Sequence, residues 1–149
     1  MLSAALLHPF QQCKGIELVP ALFELSEQLK RVYEEEFGTE QQAQPDLFPG
    51  VPELSYQVGS FFEIDWSDAD VVFANSTCFS REMMDRIGAS PLALGTIAIT
   101  LTKPLTGYQW RLLENYKKEM SWGQATVFLQ KRVDPEEQRR VSREVESFF

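Results

Sequence analysis

Apolar residues change their spacing several times along this chain, and each change marks an element. Ala4, Ala5, Leu6 and Leu7 favour helix and Pro9 stops the run, so Met1–Phe10 reads as the tail of a helix. Cys13–Val19 is a short strand. Pro20 then opens a helix at a position where a missing N–H costs nothing. Leu22, Leu25, Leu29, Val32 or Tyr33, and Phe37 recur at helical spacing, with Glu24, Glu27, Lys30, Arg31, Glu34 and Glu35 on the other face. Gly38 is the expected end of that helix. From Gly38 to Glu53 the chain holds three prolines, two glycines and three glutamines without periodicity, which predicts an excursion loop.

Leu54–Phe62 reads as a strand and its exit, and Asp65–Ala69 as a turn. Ala69–Ala74 is a continuous apolar run, the pattern expected of a parallel strand covered on both faces. Ser80 is placed to cap a helix over Arg81–Ile87. Gly95–Thr102 is a further β-branched strand. Trp110–Met120 and Gln124–Val133 flank the turn Ser121-Trp122-Gly123 and predict an antiparallel pair. Asp134, with Glu137 at capping-box spacing, begins a charged helix. Alternating helices and strands of this kind predict an α/β fold with a mostly parallel sheet and a C-terminal antiparallel hairpin. The domain expected spans residues 1–133, with 134–149 as a charged helical appendage.

Composition narrows the picture. A chain of 149 residues with 44% hydrophobic and 12% aromatic side chains supports one globular domain. A net charge of −8 argues against gripping nucleic acid by charge, and leaves room for a basic protein partner. Cys13 and Cys78 lie in apolar, strand-like surroundings and read as small buried side chains. With the single His8 they show no zinc-ligand spacing. No apolar run approaches the roughly 20 residues that span a bilayer. Met1–Leu7 lacks the basic leader of a signal peptide, so the expectation is a soluble intracellular protein.

In open α/β sheets ligands bind beyond the carboxyl ends of the strands, so the informative residues are those at strand exits. These are Glu17, Ser60 and Phe61, the segment Asn75–Phe79, and Lys103. Glu17 suits a ribose ligand, or simply a solvated carboxylate before a helix dipole. Phe61 and Phe62 can pack on a flat ring or fill a core. Asn75 can donate and accept together, as a ligand edge or a turn requires. No Ser/His/Asp set, phosphate-binding loop or G-x-G-x-x-G accompanies them. Asp65, Asp68 and Asp70 share a turn that they solubilise, and the basic and aromatic residues from Tyr108 to Lys118 read as a strand face.

Four stretches together resemble the catalytic domain of the Dot-one (disruptor of telomeric silencing) family, the histone lysine methyltransferases without a SET domain. They are GIELVPALFELS, VGSFFEIDW, ADVVFANSTCFS and MSWGQATVFLQKRV, in that order, and ITLTKPL matches a lysine-proline exit of the family. The resemblance covers about four-fifths of the chain, from Gly15 to Val133. It implies a Rossmann-like class I methyltransferase fold that binds S-adenosyl-L-methionine. Carried over, Glu17 holds the ribose, Ser60 and Phe61 meet the adenine, and Asn75 lies near the methionine end and the acceptor amine. Phe79 and Phe128 wall the lysine channel.

The chain departs from the family where Ser60 replaces an acidic residue and where Phe128 offers no hydroxyl. The family's first strand and its D-x-G-x-G loop would precede AALLHPF and have no counterpart in the 149 residues. The expectation is therefore a truncated catalytic domain whose sheet lacks its central strand, with two unpaired edges. The implied activity is methyl transfer from S-adenosyl-L-methionine to a histone or nucleosomal lysine. The implied compartment is the nucleus, with the cytoplasm as alternative; no metal, membrane or sequence-specific nucleic-acid contact is expected. A class I methyltransferase with another acceptor, and a non-catalytic interaction module on the same fold, are the alternatives.

Overall fold

The structure, a computed structural model, describes residues 1–43, 53–136 and 139–140, with the backbone alone for 38–43. It divides into two compact units, Met1–Ile64 and Asp65–Phe149.

In the first unit, helix α1 (Leu2–Leu7) precedes strand β1 (Gln12–Glu17), helix α2 (Pro20–Ala43) and strand β2 (Glu53–Val58). β1 and β2 pair in parallel, from Gln12 beside Glu53 to Glu17 beside Val58. Their small core joins Ala5, Tyr33 and Leu54, with Leu2 and Cys13 against it. Gly15 lies under the Tyr56 ring, so close that a Cβ there would sit 2.7 Å from a ring carbon. That approach requires glycine at this point of the strand.

Gly38 does not end α2, which continues to Ala43. A single glycine costs a helix only about 1 kcal/mol, and the surrounding helix formers outweigh it. The rest of the expected excursion loop lies outside the described residues. The leucine stripe is not the buried face either. Leu22, Leu25, Leu29 and Val32 are exposed, while Phe23, Ser26, Glu27 and Lys30 are half-buried and Tyr33 is buried. Those five lie together on a different strip of the same helix.

In the second unit, strand β3 (Val71–Ala74) leads to helix α3 (Arg81–Gly88), strand β4 (Ile97–Leu101), and the hairpin of β5 (Trp110–Met120) and β6 (Gly123–Arg132). The strand order is β3-β4-β6-β5. β3 and β4 run parallel, whereas β6 is antiparallel to both β4 and β5. The expected mostly parallel sheet therefore gives way to one parallel pair and one mixed sheet. The hairpin strands are 11 and 10 residues long and the parallel ones 4–6, so antiparallel ladder predominates.

β3 was also expected to be covered on both faces. It lies instead at the sheet edge, with Val71 41% and Phe73 64% exposed. Side chains alternate across a sheet and cross-strand partners share a face. Val72, Ala98, Thr100, Phe128 and Gln130 thus share one face, and Val71, Phe73, Ile97, Ile99 and Leu129 the other. On the first face Ala98, Thr100 and Gln130 are buried. The Gln130 amide donates to the Leu105 carbonyl at 2.9 Å and accepts the Leu105 N–H at 2.7 Å. Trp110 and Gln109 donate to the Gly88 carbonyl, which ties the end of α3 to the start of β5.

Ser80 caps α3 as its position predicts, accepting the Met83 N–H at 3.2 Å. Asp134 accepts the Glu136 N–H at 2.8 Å, and most of the expected helix beyond it, with Glu137, lies outside the described residues.

Gln130→Ala leaves both Leu105 backbone groups buried without partners. The expected cost is about 2–4 kcal/mol, read as a lower midpoint in urea denaturation. A change within error would show that water replaces the amide.

Candidate functional site

Both parallel pairs end in polar turns, and the turns are built differently. In the first unit the Gly59 N–H donates to the Glu17 carbonyl at 2.9 Å, so the exits of β1 and β2 are joined. Gly59 holds φ +146°, a conformation side chains disfavour, and directs the chain into a tight turn. In that turn the Ser60 carbonyl accepts the N–H groups of Glu63 and Ile64 at 2.9 and 3.0 Å. Ser60 Oγ accepts the Phe62 N–H at 3.2 Å. Phe61 and Phe62 are half-buried, with ring centroids 4.3 Å apart and planes tilted by 52°. Glu17 Oε1 accepts the Val19 N–H at 2.9 Å, which fixes the carboxylate over the start of α2 and leaves Oε2 as its other acceptor. Glu17, Ser60 and Phe61 are therefore neighbours on two joined strand exits.

In the second unit the pin is Ser76, which is 0% exposed. Its hydroxyl donates to the Leu101 carbonyl at 2.7 Å and accepts the Leu101 N–H at 3.1 Å. The side chain thereby prolongs the β3–β4 ladder by one step after the β3 backbone has turned away. On either side of this pin stand Asn75, exposed, and Thr77, half-buried. The Thr77 hydroxyl lies 3.3 Å from Asn75 Oδ1 and 3.2 Å from Thr102 Oγ1. Thr102 has φ +71°, and its N–H donates to the Thr126 carbonyl of β6 at 2.7 Å. The Lys103 ammonium donates to the Phe79 carbonyl, and the Thr100 hydroxyl to the Lys103 carbonyl at 2.8 Å. Phe128 sits opposite Thr100, which sits opposite Ala74. It is two strands from the exit that carries Asn75, on the order of 10 Å.

The six candidate residues thus fall into two groups: Glu17, Ser60 and Phe61 in the first unit, and Asn75, Phe79 and Phe128 in the second. Thr102 was not singled out from the sequence. A β-branched residue rarely adopts positive φ, and nothing in LTKP announces it. Lys103 was marked only as an exit residue; its bond to the 75–80 segment depends on a contact 24 residues apart. Among the described residues no three His, Cys, Asp or Glu side chains converge to hold a metal.

Cys78 is exposed, contrary to the expectation of a buried side chain, because it follows the turn that Ser76 creates. Cys13 is half-buried, and burial pushes its thiol above the ordinary 9.0 despite the nearby N-terminal ammonium. Burial, the Glu27 carboxylate and Cys13 likewise push the Tyr56 phenol above 10.0. Both groups are neutral in the folded unit at pH values where the unfolded chain already ionises. The stability they lend is complete below those ordinary values and is lost as pH rises through the folded ones.

No protein-family model matches this sequence, and no curated protein matches it.

Two outcomes follow from the site geometry. Thr102→Gly should raise stability by about 1 kcal/mol, because glycine adopts positive φ without strain, whereas Thr102→Ala should not. Equal midpoints for the two variants would show that Thr102 carries no strain. In timed alkylation at pH 8, Cys78 should be modified well before Cys13, as peptide mapping would show; the reverse order would refute the burial of Cys13.

Proposed function

We propose that this chain is part of a class I methyltransferase fold that takes S-adenosyl-L-methionine and acts on a protein lysine, as the Dot-one family it resembles does. The observation that carries this reading is strand order. In a doubly wound nucleotide-binding sheet the order is 3-2-1-4-5, followed by further strands. The pair β2-β1 matches places 3-2, and the pair β3-β4 matches places 4-5. The place left over is 1, the strand that the family resemblance puts before AALLHPF. β1 and β3 each have one side without a paired strand among the described residues, and those are the sides that place 1 would meet.

The first unit's exits suit the adenosine half of the cofactor. Glu17 Oε2 can accept ribose hydroxyls, the Ser60 hydroxyl can donate, and Phe61 offers a flat apolar surface. The methionine half would rest on a D-x-G-x-G turn of place 1. When bound, the cofactor supplies an electrophilic methyl group on a sulfonium. The chain's own residues position the amine and strip its water: Asn75 offers an amide at the exit of β3, and Phe79 and Phe128 supply apolar walls. The acceptor must arrive as the neutral amine, and no covalent intermediate with the protein is needed. A net charge of −8 favours a basic, lysine-bearing partner such as a histone, and the nucleus is the compartment that this substrate implies.

A second reading, an interaction module on the same fold, is favoured by the apolar residues that both units leave exposed, Leu22 and Leu29 in one and Phe73 in the other.

Calorimetric titration with S-adenosyl-L-methionine and its demethylated product separates the readings. The chain alone should bind weakly or not detectably. The chain extended at its N-terminus by a strand and a D-x-G-x-G turn should bind both ligands. Glu17→Ala should weaken that binding about tenfold or more, the worth of a charged hydrogen bond, and the extended protein should methylate nucleosomes. Absence of binding in both forms would reject the cofactor reading and leave the interaction module.

A further inference from the structure

β5 ends its sheet and, among the described residues, pairs only with β6. At 11 residues it is long for an edge strand. Every residue from Arg111 to Glu119 is exposed, so both of its faces meet solvent. Residues exposed in the whole chain are at least as exposed in their own unit, and the strand involves no group of the first unit. Such an edge offers a row of unmet backbone groups to any strand that can lie beside it.

Which groups point outward follows from β6. The Thr126 carbonyl accepts the Thr102 N–H on the β4 side. Backbone groups alternate along an antiparallel strand, so Val127 faces β5 and bonds the residue opposite it, Tyr116. The same alternation turns Glu114 and Lys118 toward β6. It leaves the N–H and C=O groups of Asn115, Lys117 and Glu119 on the free edge. The bulge between Leu112 and Glu114 lies before this stretch.

The stretch is complementary to itself. Two copies set edge to edge in antiparallel fashion share a two-fold axis perpendicular to the sheet, and residues equally far from the axis come opposite one another. With the axis at Tyr116, Glu114 of each copy lies opposite Lys118 of the other, and the two tyrosines meet. The free backbone groups of Asn115 then bond those of Lys117. Glu114, Tyr116 and Lys118 fall in the non-hydrogen-bonded pairs of this ladder, where Cα atoms approach to about 4.5 Å and side chains are closest. An axis at Glu114, Lys117 or Lys118 sets like charges face to face, which destabilises pairing. An axis at Asn115 draws the bulge inward and opposes Glu114 with a tyrosine. Lysine on an edge ordinarily discourages pairing, but here Glu114 receives it. No ion pair among the described residues holds Glu114 or Lys118 within the chain.

We propose that β5 pairs with β5 of a second copy, antiparallel and in register about Tyr116, and so joins two four-stranded sheets into one continuous sheet.

Sedimentation velocity of the intact chain over about two orders of magnitude in concentration should show a monomer–dimer equilibrium. Glu114→Lys and Lys118→Glu should each weaken it at least about tenfold, since either change turns both symmetric attractions into repulsions. Mixed together, the two variants should form a heterodimer, because one copy carries lysine at both positions and the other glutamate. The double variant, Glu114→Lys with Lys118→Glu, should dimerise like the wild type. Both side chains are exposed, and circular dichroism should show every variant folded. Register has its own readout. With Cys78→Ser removing the exposed thiol, Tyr116→Cys should give a disulfide-linked dimer on mild oxidation, because residues opposed at the axis lie within the span of a disulfide. Glu119→Cys in the same background lies away from the axis and should not. A wild type that stays monomeric throughout, single variants that dimerise as tightly as the wild type, a mixture that does not recover, or cross-linking at Glu119→Cys in place of Tyr116→Cys would each overturn the proposal.

Discussion

The hydroxyl of Ser76 does in the second unit what a backbone amide does elsewhere in a ladder. It bonds both polar groups of Leu101 from a position where β3 has already ended. Because it is fully buried, each of those bonds replaces water that cannot reach the site. The consequence is geometric. With Leu101 satisfied, the chain can leave β3 one residue early, expose Asn75 and Cys78, and still place the α3 cap, Ser80, four residues beyond the pin. Thr102 then follows Leu101 directly into positive φ, held there by the Thr126 carbonyl of the hairpin. A strained residue persists only where its surroundings over-determine it, and here the surroundings are Ser76 on one side and β6 on the other.

The same demand, that polar backbone and apolar side chains find cover, explains what each unit leaves open. Ile97 donates to the Asp70 carbonyl, and alternation along a parallel strand then turns the backbone groups of Val71 and Phe73 away from β4. Their side chains are exposed as well. β3 is therefore open both along its edge and across one face. A continuous apolar run such as ADVVFA is composed for cover in every direction. The sequence of that strand and its surroundings in the structure therefore disagree: an apolar run suited to full cover stands at a sheet edge.

Much of the local structure was legible before any coordinates. Element types and most boundaries follow from period, Pro20, Ser80 and the Ser-Trp-Gly turn, since these depend on neighbours close in sequence. What escaped were properties that depend on partners. The leucine strip of α2 reads as a core face by spacing, but the face that packs is set by where β1 and β2 lie, and Tyr33 takes the interior. Gly38 reads as a stop, but a helix with favourable residues on both sides passes through it. Of the candidate site, the exits themselves were visible, because polar residues break apolar runs abruptly at Glu17, Ser60 and Asn75. The Gly59 bridge, the Ser76 pin and the Lys103 bond to Phe79 were not, because each joins residues far apart in the chain.

The two exits differ in a way that bears on chemistry. At Glu17 and Ser60 the polar groups are set by short turns, each closing on a residue two or three positions on, so the carboxylate and hydroxyl are oriented by their own loops. Such groups suit the proposed ligand, whose nucleoside hydroxyls and ring edge are fixed in shape. At Asn75 the environment is cross-braced by β4 and β6, with a lysine held to the loop backbone and two threonine hydroxyls in contact. Bracing from two strands resists displacement, which is what the proposed positioning of a flexible amine would require. A rigid ligand can be recognised by locally built turns, whereas a flexible one needs walls that do not yield. The hairpin has its place in that argument: the antiparallel β6, alien to a purely parallel sheet, supplies the carbonyl that keeps Thr102 strained and the face on which Phe128 stands.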